Sequence, residues 1–325
     1  MKKYSFNVVG LLSILLFVAF FFLLFNLKHL SIRKEYNLIV KEGDSINTII
    51  QKLRNDNVIK SKRFVKLYSK IRNIIYNCDK VFIGEYDLSR QDNLSSLFDK
   101  ICNGKTTMVS MTIQEGLYTS QVVEIINKNK DLSGDAIFFE KEGFLLPETY
   151  TFPKGYSRKD LLGKMYRDMD EFLSYEMRTM DDDLPLKSKY EILILASIVE
   201  AEAKTDEERP LIASVYINRL KKNMRLQADP TTIYEITQGK YKMSRLLTLK
   251  DLKKKGKWNT YMKLGLPETP ICNPGKKSIQ AVLHPAYTDY LYFVAKSDLS
   301  GHIFATNYNE HLNNKSAIKK SCNII

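Results

Sequence analysis

The residues of this chain best suited to chemistry lie between positions 185 and 285. An apolar run at 192–199 ends directly at Glu200. Ser197 and Ala196, three and four positions earlier, share the helical face of Glu200, and both are small. The pattern predicts a carboxylate at the end of a buried helix, with space beside it. Because burial disfavours the charged form, we expect a raised pKa, which a general acid working near neutral pH requires.

The alternative for Glu200 is an ordinary structural role, since a glutamate at a helix end usually meets solvent or an arginine. Neighbouring polar groups add to the catalytic interpretation. Gln227 and Asp229 alternate with apolar residues, as polar groups on one face of an extended segment do. Asn259 and Tyr261 follow. Aromatic rings with nearby amides suit the faces and hydroxyls of sugars, although turn formation explains the prolines and glycines between them equally well.

Two helices must position these groups. Residues 188–191 form a capping box that opens the helix ending near Glu200, and residues 205–208 form a second capping box before another apolar stripe. We predict an antiparallel helical hairpin joined by a short acidic turn. Pro210 leaves the first residue of the second helix open. That helix carries Asn218 near its end.

Signatures of several enzyme classes are absent from the sequence. No GxxxxGKS/T, GxSxG or HExxH pattern occurs, which disfavours a P-loop enzyme, an α/β-hydrolase and a zinc enzyme. The four histidines form no helical metal pair, and the four cysteines lack zinc-type spacing. We therefore expect neither a metal ion nor a cofactor. The sequence leaves open a disulfide between Cys78 and Cys102.

The chain after residue 37 begins with a repeated pattern. Residues 38–50 and 111–126 each combine alternating apolar residues, a Glu-Gly pair, a Ser or Thr and a helical apolar stripe. This order predicts a strand, a turn and a capped helix. Such units occur in small glycan-binding modules of the LysM type, and two ordinary strand–helix units explain the pattern equally well. The candidate caps are Asp44 or Ser45 in the first unit and Thr119 or Ser120 in the second.

The remaining segments predict further helices and short strands, and hence an α+β fold. Residues 142–152 predict a loop or an edge strand, because Pro147 and the following Pro153 exclude a central strand. The other predicted elements are helices at 63–76, 94–102 and 160–180 and strands at 81–88, 291–294 and 302–305.

The amino terminus predicts a membrane anchor. Residues 8–25 are apolar apart from Gly10 and Ser13, and a helix of this length nearly covers a hydrocarbon core of about 30 Å. The run exceeds the roughly 7–15 apolar residues of a cleaved signal peptide, and no small-residue cleavage site follows it. The numbers of basic residues before and after the apolar run are nearly equal, so the charge difference across it gives only a weak indication of its orientation in the membrane. We favour a body outside the cytoplasm.

Charge is the outlying feature of the composition. The 325 residues include 50 Lys and Arg against 37 Asp and Glu, a net charge of +13. This excess predicts an anionic neighbour, which is a nucleic acid, an acidic lipid surface or an anionic polymer. The lysine-rich stretch at 250–257 motivates the nucleic-acid alternative, which requires a cytoplasmic body. The length suggests about two domains.

From about Leu38 to its end, the chain resembles the YceG-like family of endolytic murein transglycosylases. Each matching stretch is short, but all occur in order across nearly the whole body. Departures at Gln114, Trp258 and Glu268 concern the expected glycan groove and leave Glu200 untouched. The matching stretches are 84–86 (GEY), 113–116 (IQEG), 142–152 (EGFLLPETYTF), 196–200 (ASIVE), 217–220 (INRL), 225–231 (RLQADPT), 259–261 (NTY), 265–267 (GLP), 273–275 (NPG), 284–285 (HP) and 290–294 (YLYFV).

The resemblance implies one amino-terminal membrane helix, a LysM-like region and a helix-rich catalytic region with short strands. The protein is then expected to cross the cell (inner) membrane once, with its catalytic body on the extracytoplasmic side. The implied domains are an anchor at 1–28, a LysM-like module at 36–105, a second Glu-Gly region at 110–180 and a catalytic domain at 185–325.

The resemblance also implies a reaction with Glu200 as its catalytic residue. A protonated glutamate donates to the oxygen between MurNAc and GlcNAc, and the 6-hydroxyl of the same MurNAc attacks its anomeric carbon, leaving a 1,6-anhydroMurNAc end. No second carboxylate is needed, so we interpret four nearby acids as charges of a helix turn: Glu202, Asp206, Glu207 and Glu208. Gln227 and Asp229 are expected to orient the glycan or Glu200. The other expected glycan contacts are Asn218, Tyr150, Asn259 and Tyr261.

The expected partners are peptidoglycan strands, the cell membrane and peptidoglycan synthases of the penicillin-binding type, with no nucleic acid. The expected role is to end the elongation of nascent glycan strands. A different class of function stays open. In it, the protein is a non-catalytic, membrane-tethered scaffold that binds peptidoglycan through its Glu-Gly units.

Overall fold

The three-dimensional structure is a computed structural model. It describes residues 32–41, 43–76 and 81–322, together with Ile14 and Val18. The predicted anchor at 8–25 otherwise lies outside the described residues, as does Cys78. Across the described part of the chain, no helix is both long and apolar enough to cross a membrane. The described residues form a mixed α+β fold, which confirms the predicted class.

The chain divides into two compact units. The first comprises residues 1–110, 130–133 and 151–157, and the second comprises residues 111–129, 134–150 and 158–325. The main elements of the first unit are β1 (Tyr36–Val40), α1 (Ile46–Asn55), α2 (Lys62–Tyr76), β2 (Gly84–Leu88) and α3 (Leu94–Asn103).

The first unit is built on the antiparallel pair of β1 and β2. Leu38 lies opposite Tyr86, and both side chains are fully buried. They point to the same face of the sheet, since alternate residues of a strand face the same side. The hydroxyl of Ser45 accepts the N–H of Thr48, which confirms Ser45 as the cap of α1. Gly104 ends α3 with a left-handed φ of 65°, a conformation that glycine adopts without strain. The predicted strand–turn–helix order is therefore present here.

Short strands and longer helices make up the rest of the described chain. A two-stranded sheet pairs β3 (Met108–Thr112) with β5 (Thr149–Pro153), and β4 (Leu132–Ser133) runs parallel to β6 (Tyr156–Ser157). The remaining elements are α4 (Thr119–Lys128), α5 (Arg158–Glu176), α6 (Lys189–Glu202), α7 (Arg209–Lys221), α8 (Asp229–Thr237), α9 (Leu249–Leu252), α10 (Lys276–Leu283), β7 (Tyr292–Ala295), β8 (His302–Ala305) and α11 (Tyr308–Cys322).

The helix α6 is the centre of the second unit. All eight residues from 192 to 199 are buried, as the apolar run predicts. Six of them, all but Ile194 and Ser197, pack in one hydrophobic core with residues of α7 and α10. Ser188 caps the start of the helix, where its hydroxyl accepts the N–H of Glu191 at 3.2 Å. Burial of residues 192–199 fixes the position of the last turn, which carries Glu200 and Glu202.

We expect Ser188→Ala to lower the free energy of unfolding by about 1 kcal/mol, because the first turn of α6 loses the acceptor for one of its free N–H groups. Equilibrium denaturation of the purified variant measures this. Ser316→Ala is the matched control, since Ser316 is exposed within α11 and caps nothing. The control should change stability by no more than about 0.5 kcal/mol. Equal losses in the two variants would contradict the capping role.

Two predicted helix starts are wrong. The capping box at 205–208 does not open α7, which begins at Arg209, because Pro210 in its first turn has the fixed φ that a helix start favours. Tyr118 precedes α4, and the N–H of Thr119 donates to a carboxylate oxygen of Glu142 at 2.7 Å. Among the cysteines, Cys102 forms a disulfide and Cys272 is a buried free thiol.

Candidate active site

A cavity of about 310 Å³ opens in the second unit at the end of α6. Its wall carries acidic, aromatic and amide side chains from separate elements. Glu202 comes from the last turn of α6, and Tyr216 from α7. Asp229 comes from the first turn of α8, and Tyr261 comes from the irregular segment that follows α9. The cavity therefore combines a carboxylate pair with aromatic rings, the kind of surface that holds a sugar.

Glu202 is one of the two carboxyl groups of this cavity. Tyr216 donates a hydrogen bond from its hydroxyl to Oε1 of Glu202 at 3.2 Å. Burial raises the pKa of Glu202 to about 7, and the negative charge of Asp229 adds to this effect. A carboxyl group with such a pKa is partly protonated near neutral pH. It can therefore donate a proton and take one back.

Asp229 and Gln227 are held at the cavity by a network of backbone and hydroxyl contacts. The Tyr261 hydroxyl donates to Oδ1 of Asp229 at 2.6 Å. The N–H of Gln227 donates to the Thr260 carbonyl at 3.3 Å, and the N–H of Ala228 donates to the Thr260 hydroxyl oxygen at 3.0 Å. These contacts join the segments around 228 and 260 into one wall.

The backbone of Gln227 is strained. Its φ of 52° lies in the left-handed region, which is uncommon for a residue with a side chain. Arg219 holds this conformation by donating from Nη1 to the Leu226 carbonyl at 2.7 Å, with Gln227 Oε1 at 3.5 Å. The extended segment predicted around Gln227 and Asp229 is therefore wrong, because Gln227 turns the chain into α8. Strain of this kind is typical of sites where geometry matters for function.

Three predicted glycan contacts lie outside the cavity lining. Asn259 is fully buried, accepting from the Tyr261 N–H at 3.0 Å, and so it positions that tyrosine. Asn218 donates from Nδ2 to the carbonyls of Thr288 and Tyr290. Tyr150 is buried and donates to the Leu146 carbonyl at 2.8 Å. Of the predicted contacts, the structure brings together Gln227, Asp229 and Tyr261.

Glu200 lies outside the lining of this cavity, in a buried ion pair. Only 6% of its side chain is exposed, and its Oε1 lies 3.1 Å from Nη1 of Arg209. Its other oxygen, Oε2, accepts from the Gly275 N–H at 3.0 Å and the Ser278 hydroxyl at 2.8 Å.

The expected space beside Glu200 is occupied. Ser197 and Ala196 are small, but the chain at 271–272 fills the room they leave. The Ile271 N–H donates to the Ser197 hydroxyl oxygen at 3.0 Å. The small residue Ser197 on this face of α6 thus permits close approach of the backbone at 271–272.

The ion pair of Glu200 extends into a wider cluster, which we call the Arg209 cluster: Glu200, Arg209, Glu115, Asp206 and Lys277. Arg209 contacts Asp206 at 3.1 Å and Glu115 at 3.7 Å. Burial and the charge of Glu200 raise the pKa of Glu115. The cluster joins α6, α7 and α10 to the loop that carries the second Glu-Gly pair.

Interpreting all four acids after Glu200 as helix-turn charges is therefore wrong for two of them. Glu202 faces the cavity, and Glu208 is buried beside His302. Ile198 and Val199, four and three positions before Glu202, are the sequence signal that its helical face is apolar. Among the described residues, no group of three or more His, Cys, Asp or Glu is placed to hold a metal ion.

Comparisons with known proteins agree with this fold. A sequence model of the YceG-like family matches residues 38–317. The endolytic murein transglycosylase of Bacillus subtilis strain 168 is 32% identical over 294 residues, which cover 81% of this chain and 79% of that protein. The endolytic murein transglycosylase of Streptococcus pneumoniae strain R6 is 25% identical over 328 residues, which cover 86% of this chain and 57% of that protein.

A solved structure of a YceG-like protein from Listeria monocytogenes is also similar. It matches with a TM-score of 0.52 and 28% identity, covering 86% of this chain and 99% of that one. Nearly the whole chain of that solved structure thus has a counterpart in this chain.

Proposed function

Because the chain belongs to the YceG-like family, we propose that it is a lytic transglycosylase that cleaves peptidoglycan glycan strands within their length. The relatives named as endolytic murein transglycosylases support this proposal. The observation that carries it is the position of Glu202, a carboxyl group of pKa about 7 that lines a cavity together with Gln227, Asp229 and Tyr261.

The proposed bond is the β-1,4 link from MurNAc to GlcNAc. Protonated Glu202 donates its proton to the linking oxygen. The 6-hydroxyl of the MurNAc then attacks the anomeric carbon of the same sugar, and the Glu202 carboxylate removes the hydroxyl proton. The product is a 1,6-anhydroMurNAc end. Since the attacking hydroxyl belongs to the substrate, proximity supplies much of the acceleration, and one carboxyl group serves both proton transfers.

The same reaction assigns roles to the rest of the cavity wall. Burial and then the negative charge of Asp229 raise the pKa of Glu202, which favours its protonated form. Tyr261 fixes Asp229, and Gln227 offers an amide for hydrogen bonds to sugar hydroxyls. The assignment of Glu200 as the acid is the competing proposal that the family resemblance supports. Glu200 is ion-paired to Arg209, and the turnover of Glu200→Gln compared with that of Glu202→Gln decides between the two proposals.

The proposal extends to the whole chain. Residues 1–28 anchor the protein in the cell membrane, residues 36–105 form a LysM-like module, and residues 110–180 lead into the catalytic domain at 185–325. The catalytic body then acts outside the cytoplasm on nascent strands, close to peptidoglycan synthases, and ends their elongation. The net charge of +13 suits an anionic wall polymer and the membrane surface.

The direct test is to incubate the full chain, purified in detergent, with peptidoglycan and to analyse the products by mass spectrometry. We expect muropeptides with 1,6-anhydroMurNAc ends, released from within strands. Binding to insoluble peptidoglycan is measured in parallel by sedimentation. Binding without any anhydro product would contradict the enzyme proposal and favour a non-catalytic scaffold.

We expect Asp229→Asn to move the alkaline limb of the pH–rate profile to lower pH. The charge of Asp229 raises the pKa of Glu202, so its removal lowers that pKa, and the acid loses its proton earlier as pH rises. The measurement is kcat/KM against pH, which reports the free enzyme. Asp183→Asn is the control, because Asp183 is 88% exposed and pairs with Lys221. A limb that stays in place in Asp229→Asn would contradict the electrostatic coupling.

A further inference from the structure

The helix α2 has one face in the core of the first unit and the opposite face in solvent. Val65 and Tyr68 are buried in that core. The helix has 15 residues, of which five are Lys or Arg and none is Asp or Glu. Spacings of three and four residues place two basic and two apolar residues in one outward stripe: Arg63, Leu67, Lys70 and Ile74. Ile74 is 86% exposed, and Phe64 and Ile75 beside the stripe are also exposed. The outward face of α2 therefore combines positive charge with apolar side chains that the first unit does not cover.

A groove of about 640 Å³ lies beside this face, bounded by the first turn of α1 and by α2. Three cationic side chains line it, those of Arg63, Lys66 and Lys70, and no described Asp or Glu does. Ile46 of α1 and Leu67 of α2 supply its apolar surface. Three positive charges in one groove favour an anionic ligand, and the apolar surface between them favours a ligand with hydrocarbon attached.

The chain enters the first unit beside the start of α2. Ile32 is buried in the core of the unit, and the N–H of Arg33 donates to the Val58 carbonyl at 3.0 Å. Val58 precedes Lys62, the first residue of α2, by four positions. Six residues separate Ile32 from Phe25, the last residue of the apolar run, and this length of chain spans no more than about 25 Å in any conformation. The proposed anchor thus holds the end of the unit that carries the start of α2 close to the membrane surface.

We propose that the outward face of α2 and its groove bind the anionic lipid headgroups of the membrane in which the chain is anchored. Headgroup phosphates attract the lysine and arginine side chains, and the boundary of the acyl chains takes up the exposed apolar side chains. A wall polymer offers charge alone and leaves Leu67 and Ile74 in water. The inference goes beyond the proposed reaction and rests on the proposed anchor. Docking in this way holds the first unit against the membrane.

The test places a tryptophan on this face, with the full chain reconstituted in vesicles. The vesicles contain equal amounts of phosphatidylglycerol and of phosphatidylcholine brominated on its acyl chains. The wild type has one tryptophan, Trp258, which gives the background emission. We expect the added emission of Ile74→Trp to be shifted to the blue and quenched by the bromine atoms, because residue 74 then lies at the acyl boundary.

Ile39→Trp is the matched control, because it adds the same ring to another face of the same unit. Ile39 is 45% exposed in β1, whereas Leu38 and Val40 on either side of it are buried in the core that also contains residues of α2. Its side chain therefore points away from that core. Its emission should be neither shifted nor quenched.

Removing charge from the groove should weaken the docking. Each lysine near an anionic membrane surface strengthens binding by about fivefold, so Lys66→Gln/Lys70→Gln should weaken it by about 25-fold. We expect the Ile74→Trp emission to lose quenching in this background, and also in vesicles of phosphatidylcholine alone. Lys105→Gln/Lys130→Gln removes the same charge from exposed positions of the same unit outside the groove, and it should keep the quenching.

Equal quenching of Ile74→Trp and Ile39→Trp would overturn the proposal, as would quenching that does not depend on Lys66 and Lys70. If the lysine variant keeps its quenching and instead loses sedimentation with peptidoglycan, the face binds the wall polymer and the proposal is wrong. Extraction of the wild type from the vesicles by alkaline carbonate would show separately that the proposed anchor fails. The absence of anhydro ends would concern the proposed reaction alone.

Discussion

Replacing Glu202 by glutamine is expected to reduce the release of anhydro ends by about 10²- to 10⁴-fold, the usual contribution of a general acid–base group. Glutamine has nearly the same shape but has no acidic proton to donate. The cavity and the Tyr216 contact to residue 202 are retained, so binding of peptidoglycan should persist. The measurement is the initial rate of anhydro-muropeptide formation on purified glycan strands, at a pH near the Glu202 pKa of about 7.

Glu200→Gln is the matched variant, because it makes the same chemical change two residues away on the same helix. Its carboxylate contacts Arg209, Ser278 and the Gly275 N–H, and it does not line the cavity. We expect the folded fraction of this variant to keep turnover within about tenfold of the wild type. The reverse outcome would favour the assignment from the family resemblance. In that case Glu200→Gln loses its turnover and Glu202→Gln retains it.

Arg209→Gln should lower the free energy of unfolding by about 3–5 kcal/mol, the usual cost of breaking a buried ion pair by removing one partner. The substitution leaves the Glu200 carboxylate, only 6% exposed, without its cation. It also removes the cation that contacts Asp206 and Glu115. Denaturant unfolding, followed by circular dichroism, measures the loss.

A surface ion pair provides the comparison for Arg209. Lys257→Gln breaks the contact with Glu268, in which the two side chains are 63% and 48% exposed. Exposed pairs contribute about 0–1 kcal/mol to stability. The free energy of unfolding of this variant should therefore lie close to that of the wild type. If Arg209→Gln is as stable as Lys257→Gln, the Arg209 cluster does not support the fold in the way its burial indicates.

Local patterns in the sequence predicted much of the fold. The apolar run at 192–199 and the serine before it predicted the buried helix α6 and its cap, since both signals lie within one helical element. The helix predicted at 94–102 likewise agrees with α3, which ends at Asn103. The start of α7 was missed because two local signals competed, a capping box at 205–208 and Pro210, and the proline decided the outcome.

The choice between two glutamates depended on distant parts of the chain. The acidic character of Glu202 depends on Asp229 and Tyr216, which reach it from other helices. Arg209 and Ser278 reach Glu200 from α7 and α10 in the same way. Helical spacing predicts two different faces for residues 200 and 202. It does not predict which face meets a cation and which meets a cavity.

The last turn of α6 has a consequence for genetics. The codons for Glu200 and Glu202 are separated by one codon. We expect a screen for loss of function to recover changes at both. The causes would differ, because a weakened Arg209 cluster lowers the amount of folded protein in the cell, whereas a change at Glu202 leaves a full amount of inactive protein. Immunoblots of the recovered alleles would separate the two groups, and growth at low temperature should rescue only the alleles with reduced protein.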